Sequence, residues 1–352
     1  MATKEPGHLL SGIRNRTGKV ILEYVFLNHT RCDILDQTRV VDSEPRSVGD
    51  FNTRVGCTKT MNRLDFDPVT GYRPEKAREP WFGIEQEYYV INDEGIPCSY
   101  DPEKFNYDTL DPLHAPVFFS NLLVMYNHVG HPHNKNVGLE RELSSSHFLA
   151  CLYAGVKIGG RNRENGPSQW EYQIGPCEGV AIGDHLYMSR YILHRLAETF
   201  GVRVSFRPAP LPGVRTIAGG HLNFSTVQMR EEGGTRYIMH AIELLSKSHQ
   251  QELFKCYDPS PDSENTKRME SQNTEHWIPK VDEFTFGVGL KRSTTVRIPK
   301  LVDMDGRGYF EDRRPGSNMD PYAAADVLVR ACILGDFLKP GFEYLKNLCL
   351  PD

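Results

Sequence analysis

The 352-residue chain contains no uninterrupted apolar run of membrane-spanning length, and its first residues, MATKEPGHLLSGIRNRTGK, lack the apolar core of a secretory signal. The expected address is the cytoplasm, with no membrane partner. It also lacks any excess of basic charge. Its 41 Lys and Arg against 46 Asp and Glu give a formal net charge of -5, which leaves no global footprint for nucleic acid or an anionic lipid surface. A locally bound phosphate remains compatible with that balance. Missing too is any C-x-x-C pair among Cys32, Cys57, Cys98, Cys151, Cys177, Cys256, Cys332 and Cys349. Their scatter suggests neither a zinc knuckle nor a disulfide scaffold, so they read as reduced thiols, mostly core. No internal repeat or low-complexity tract is visible.

What is present is a 39% hydrophobic content, enough for a sizeable core in one large domain or two ordinary ones. GKVILEYVFLN and CDILDQTRVVD read as two early strands, and the polar, Pro-bearing DFDPVTGYRPEKAREP as a linker. This divides the chain into a small unit at residues 1–78 and a mixed domain at 79–352. Within the latter, the strand-like VRVSFRPA, GGHLNFST and TTVRIPKLV alternate with the helix-like GDHLYMSRYILHRLAETFG and TRYIMHAIELLSKSHQQELF. The fold class is therefore α+β. Asp320 is a capping residue for a last helix with Pro321 in its first turn. Residues 92–147 resist assignment, and the H-x-x-H-x-H of His128, His131 and His133 reads as a polar loop.

Chemistry is suggested by acids on strands that are otherwise apolar. In WFGIEQEYYVI, Glu85 and Glu87 are two residues apart and share one strand face. In SQWEYQIGPCEG, Trp170, Tyr172 and Ile174 take one face and Glu171 the other, with Glu178 just past a Gly-Pro turn. His221, Asn223 and Ser225 alternate with Leu222 and Phe224, and Glu311 precedes Asp312, Arg313 and Arg314. Each segment alone describes a half-buried sheet with a charged solvent face. Together, Glu85, Glu87, Glu171, Glu178, His221 and Glu311 would repel one another unless cations lay between them. Five carboxylates and one imidazole suit Mg2+ or Mn2+ better than a structural zinc. Arg268, Arg292, Arg297, Arg313 and Arg314 offer planar donors for phosphate or carboxylate, and metal with arginine points to phosphoryl transfer. For Arg314 an ordinary ion pair explains the residue equally well.

These segments resemble the eukaryotic type of glutamine synthetase in PWFGIEQEY, ACLYAGVKIGG, QWEYQIGPCEGVAIGDHLYMSRYILHR, GGHLNFST, RIPK and GYFEDRRPGSNMDP. The resemblance implies a small β-grasp-like N-terminal domain, a catalytic domain with a curved antiparallel sheet flanked by helices, and a ring-shaped homo-oligomer. It further implies that Glu85, Glu87, Glu171, Glu178, His221 and Glu311 hold Mg2+ or Mn2+ ions between ATP and glutamate. Asn223, Ser225, Arg292 and Arg297 would contact nucleotide, and Arg268, Arg292 and Arg313 would serve as catalytic clamps. ATP would phosphorylate the side-chain carboxylate of glutamate, and ammonia or an amine would then displace phosphate.

The chain departs from the family pattern where the amino acid and ammonium are handled. Val214, Arg215, Thr216 and Ile217 stand in place of an Asn-Trp-Asn-Gly-type loop, and RMESQNTEHWIPKVDEF replaces the glutamate-bearing flap, with Glu275 as a displaced stand-in. The Asp-Gly-Ser-Ser stretch has no counterpart in GDFNTRVGCTKT. Three readings follow: a ligase of this family with weak or altered activity, a pseudoenzyme that keeps metal and nucleotide binding for a structural or regulatory role, and a guanidino-kinase-like phosphotransferase. The last fits least, since neither its reactive-cysteine context nor its guanidine-site signature is found.

Overall fold

A computed structural model describes residues 20–27, 34–41, 79–99, 137–164, 166–210, 218–248, 257–258, 264–271, 283–289 and 294–334. β1 (Val20–Leu27) and β2 (Ile34–Val41) pair antiparallel along their whole length, where two early strands were expected. The linker residues up to 78, the histidines His128, His131 and His133, the loop Val214–Ile217, Glu275 and Arg292 lie outside the described residues.

The remaining elements follow as β3 (Trp81–Ile91), α1 (Val137–Tyr153), β4 (Ile158–Arg163), β5 (Gln169–Glu178), α2 (Ala181–Thr199), β6 (Arg203–Ser205) and β7 (Gly220–Ser225). Then come α3 (Val227–Arg230), α4 (Thr235–Lys247), α5 (Glu264–Ser271), β8 (Phe286–Val288), β9 (Val296–Ile298), α6 (Lys300–Asp305), β10 (Phe310–Asp312) and α7 (Pro321–Val329). Eight strands form one sheet in the order β4-β5-β3-β7-β10-β9-β8, with β6 also paired to β3. All its pairs are antiparallel except β8 with β9. The class is thus α+β, an antiparallel-dominated sheet flanked by helices. Among the described residues, no helix is long and apolar enough to cross a membrane.

The sheet is two-faced because its strands alternate. Phe82, Ile84, Tyr88 and Val90 of β3 join Trp170, Tyr172 and Ile174 of β5, Leu222 and Phe224 of β7 and Phe310 of β10 in one buried cluster with α2 and α7. Glu85 and Glu87 face the other way. α7 starts as expected: Asp320 accepts hydrogen bonds from the backbone N–H of Tyr322 (2.9 Å) and Ala323 (3.4 Å), with Pro321 in the first turn.

Two expectations need correction, and one unassigned segment gains an element. Gly175-Pro176 makes no turn: β5 runs through it, with Ile174 opposite Ile84 but Cys177 opposite Phe82, so one extra residue bulges out. Gly175 has φ 113°, and a Cβ there would lie 2.7 Å from the Phe82 carbonyl oxygen, so only glycine fits. TTVRIPKLV yields only the three-residue β9 before Pro299 and α6. Finally, part of the unassigned 92–147 segment is α1, a 17-residue helix.

Candidate active site

The bulge in β5 decides which acids can meet. Glu171 and Glu178 are an odd number of residues apart, so an unbroken strand would put them on opposite faces. The extra residue resets the alternation. Cys177 returns to the core at 1% exposure, and Glu178 joins Trp81 on the polar face at the far end of the strand, where it is exposed.

Across the polar face the register is lateral. Glu171 stands opposite Glu87, Gln173 opposite Glu85, and Glu85 opposite His221. Asn223 is paired with Gly83 on one side and Glu311 on the other, and Glu311 with Arg297 beyond. Single ligand atoms of Glu85, His221 and Glu311 all lie within 4.8 Å of one another. His221 Nδ1 is 3.4 Å from Glu85 Oε2 and 3.3 Å from Glu311 Oε1. Asn223 Nδ2 donates to Glu85 Oε1 at 3.1 Å, and Arg297 Nε donates to Glu311 Oε2. Buried Glu311 Oε1, Asn223 Oδ1 and Arg313 Nε make no hydrogen bond, although Arg313 Nε is 3.9 Å from Glu311 Oε1.

The two halves of this face differ electrostatically. Burial opposes ionisation of Glu85, but the His221 hydrogen bond and charge, Asn223 and Arg297 outweigh it and hold the carboxyl down to about 2. Glu87 is pushed up to about 7, chiefly by burial, which also outweighs the favourable charge of His221. Glu171 is pushed up to about 10, by burial first and then by Glu87, Glu164 and Glu85. No Lys or Arg among the described residues hydrogen-bonds to Glu87 or Glu171. Their partners are neutral: Gln169 Nε2 (2.8 Å) and the Gly219 N–H (2.9 Å) donate to Glu87 Oε2, and Gln173 Nε2 donates to Glu171 Oε1. Gly219 has no room for a side chain, since a Cβ would lie 2.6 Å from His221 Nε2.

The remaining sequence candidates are distributed around this core. Ser225 is at the Trp81 end and donates to the Gly308 carbonyl at 2.6 Å. Arg268 is fully buried; its Nε donates to Asn265 Oδ1 at 2.8 Å and its Nη2 to the carbonyls of Arg313 (3.1 Å) and Arg314 (2.9 Å). Arg314 lies below the face, paired with Asp312 at 2.6 Å with neither side chain exposed.

Several residues at the site escaped sequence reasoning. Gln169 and Gln173 are neutral and carry no charge signal, although alternation with Glu171 places them on its face. Glu164 adds negative charge near Glu87 and Glu171, and the exposed Tyr309 has its hydroxyl pKa raised by partial desolvation and then by Glu85 and Glu311. At the Ser225 end, the Arg230 guanidinium lies 4.0 Å over the Trp81 ring, with Nη1 buried and unbonded. Trp81 is 38% exposed, unusual for a tryptophan beginning a central strand.

A sheet, antiparallel but for one pair, that buries one face and presents acids, imidazole and guanidinium groups from separate strands on the other places the chain among α+β proteins with a charged sheet face. Comparison with known proteins identifies which. The family described as "Glutamine synthetase, catalytic domain" matches residues 71–239. The chain is 35% identical to glutamine synthetase of Bos taurus and 36% identical to that of Gallus gallus, in both cases over 99% of this chain and 100% of the relative. Against the Homo sapiens enzyme the identity is 35% with the same coverage. The chain belongs to the glutamine synthetase family. A solved structure described as "Apo GmaS without ligand" shares the fold, with a TM-score of 0.52 and 19% identity over 74% of this chain and 54% of that one.

Proposed function

We propose that the chain is an ATP-dependent ligase that joins ammonia or an amine to the side-chain carboxylate of glutamate, or of a related acid, through an acyl phosphate. The convergence of Glu85, His221 and Glu311 within 4.8 Å, flanked by Arg297 and Arg313, carries this reading. A bare carboxylate is a poor electrophile, and bringing the γ-phosphate to it sets anion against anion. The donor set fits a hard divalent ion: carboxylate oxygens and one imidazole, with the buried Glu311 Oε1 left without a hydrogen bond.

Mg2+ or Mn2+, held by Glu85, His221 and Glu311 and by Glu87, Glu171 and Glu178, would neutralise phosphate charge when bound. The chain's own groups do the rest. Arg313 and Arg292 offer guanidinium forks to the transferring phosphoryl group, and Arg268 holds the backbone that carries Arg313. Asn223, Ser225, Arg292 and Arg297 contact the nucleotide, and the Trp81 ring with Arg230 above it forms a stacking surface for an aromatic base. Residues 1–78 and 79–352 act as separate domains in a cytoplasmic, ring-shaped homo-oligomer.

Incubation with ATP, Mg2+, glutamate and hydroxylamine tests the reading directly, and γ-glutamyl hydroxamate is the expected product. Phosphate release only with another acid or amine would move the substrate while keeping the ligase. A second reading, a pseudoenzyme that binds metal and nucleotide without turnover, is favoured by one observation: Arg268, a clamp candidate, is committed to the carbonyls of Arg313 and Arg314. No turnover with any acid, alongside intact Mn2+ and ATP binding, would establish it.

A further inference from the structure

Glu87 and Glu171 stand directly opposite each other on adjacent strands, both at 8% exposure. Two facing carboxylates repel, and a purely structural site would favour a basic partner. Here each carboxylate receives an amide instead. The orientation of the Gln169 amide is fixed independently, because its Oε1 accepts from the Gly166 N–H at 3.0 Å. A backbone N–H can only donate, so Gln169 Nε2 must be the atom facing Glu87 Oε2. Gly166 permits this arrangement, since a Cβ there would lie 2.4 Å from Gln169 Oε1.

Gln173 is held in a similar way. Its Nε2 donates both to Asn162 Oδ1 (2.8 Å) and to Glu171 Oε1, and Asn162 Nδ2 donates in turn to Glu164 Oε1 at 3.0 Å. Its own Oε1 lies where a Cβ on Gly160 would come to 2.6 Å. Both donors to Glu87 end on Oε2, and the Gln173 bond to Glu171 ends on Oε1. One oxygen of each carboxylate is thereby fixed by a neutral dipole while the other takes none of these bonds.

We propose that Gln169 and Gln173 are positioning residues that orient Glu87 and Glu171 as single-oxygen cation ligands. A glutamine fixes the rotamer of an acid without cancelling its charge, whereas arginine or lysine in the same place would compete with the cation. Hydrogen-bonded partners behind metal ligands commonly govern affinity by their placement. The proposal rests on reading Glu87 and Glu171 as cation ligands, and its test keeps the two ideas apart.

Mn2+ titrations of the full chain, followed by the electron paramagnetic resonance signal of free Mn2+, measure affinity without reference to turnover. Gln169→Leu and Gln173→Leu are each expected to weaken Mn2+ by about 10- to 100-fold and to change the line shape of the bound ion. Gln169→Glu is near-isosteric and adds negative charge, so charge alone would tighten binding. It is expected to weaken binding, because the N–H donor to Glu87 is gone. Wild-type or tighter Mn2+ affinity in Gln169→Glu would overturn the proposal, and this variant decides if the leucine variants do not fold. Glu87→Gln is the separate control. If it leaves Mn2+ affinity unchanged, the ligand reading of this face fails; if it weakens binding while the glutamine variants do not, only the positioning roles fail.

Discussion

At the scale of single residues, the acids on the polar face respond to pH in opposite directions. Glu85 is lowered to about 2 from an ordinary 4.5, so its contribution to stability is fully present above about 4.5 and is lost as pH falls towards 2. Glu87 is raised to about 7 from 4.5, so the folded state keeps a proton that the unfolded chain has released. Stability therefore falls as pH rises from about 4.5 through 7, and Glu171, raised to about 10, extends the same trend upward. The cation-free protein is expected to lose melting temperature between pH 5 and pH 8. A bound cation removes the need for those protons, so the Mn2+-induced rise in melting temperature should be larger at pH 8 than at pH 5. An equal rise at both values would contradict the assignment of Glu87 and Glu171 to the cation.

The acids also differ individually in what their removal should do. Glu311 is fully buried, and its Oε1 lies 3.3 Å from His221 Nδ1. Glu311→Gln is expected to lower Mn2+ affinity by at least about tenfold, more than removal of a positioning partner at the weak end of its range. It should leave the fold intact, since Arg297 is 22% exposed and regains water when its partner is neutral. Calorimetric titration with Mn2+ checks this. Glu178→Ala, at the exposed end of the face, is expected to reduce Mn2+-induced stabilisation without altering the cation-free melting temperature.

At the scale of elements, the β5 bulge is the feature on which the acid constellation depends. Gly175→Ala puts a side chain into a φ of 113° and towards the Phe82 carbonyl, so a loss of about 1 to 3 kcal/mol is expected in urea unfolding, together with weaker Mn2+ binding. Stability lost without any change in binding would mean that the bulge serves packing alone. Much of this architecture was legible from alternation: the acids of β3, the aromatic face of β5 and the two faces of β7 emerged from period-two patterning. The bulge was not, because a Gly-Pro pair reads as a turn until its neighbour strand is known. α1 was hidden for another reason. Its buried stripe is Glu140, Leu143, Ser144, His147 and Cys151, correct helical spacing in residues that carry little apolar signal. Glu140 is stabilised there by Ser168 Oγ at 2.6 Å and Trp170 Nε1 at 3.1 Å, partners contributed by β5 and its preceding turn.

At the scale of the whole molecule, the polar face rests on a second, internal layer of charge. Asp312 alternates with Glu311 along β10, so one points to the site and the other inward. Asp312 takes two bonds from the Arg314 side chain, at 2.8 and 2.6 Å, and one from the Tyr257 hydroxyl at 2.8 Å. Arg190 donates to Gln86 Oε1 and to the carbonyls of Ser317 and Met319, tying α2, β3 and the segment after β10 together. Because Arg314 has no exposure, Asp312→Ala would strand a buried charge and is expected to cost about 3 to 5 kcal/mol. Replacing both, as Asp312→Leu with Arg314→Met, removes the desolvation penalty along with the attraction and is expected to recover most of that loss. Mn2+ titration of the double variant then separates two roles. If the ion pair only holds the core, affinity stays near wild type; if it also sets the placement of Glu311 next to it, affinity falls while stability is restored. The second result is expected, because Arg268 holds the carbonyls of Arg313 and Arg314, two and three residues along the chain from Glu311, and moving that backbone moves Glu311 with it.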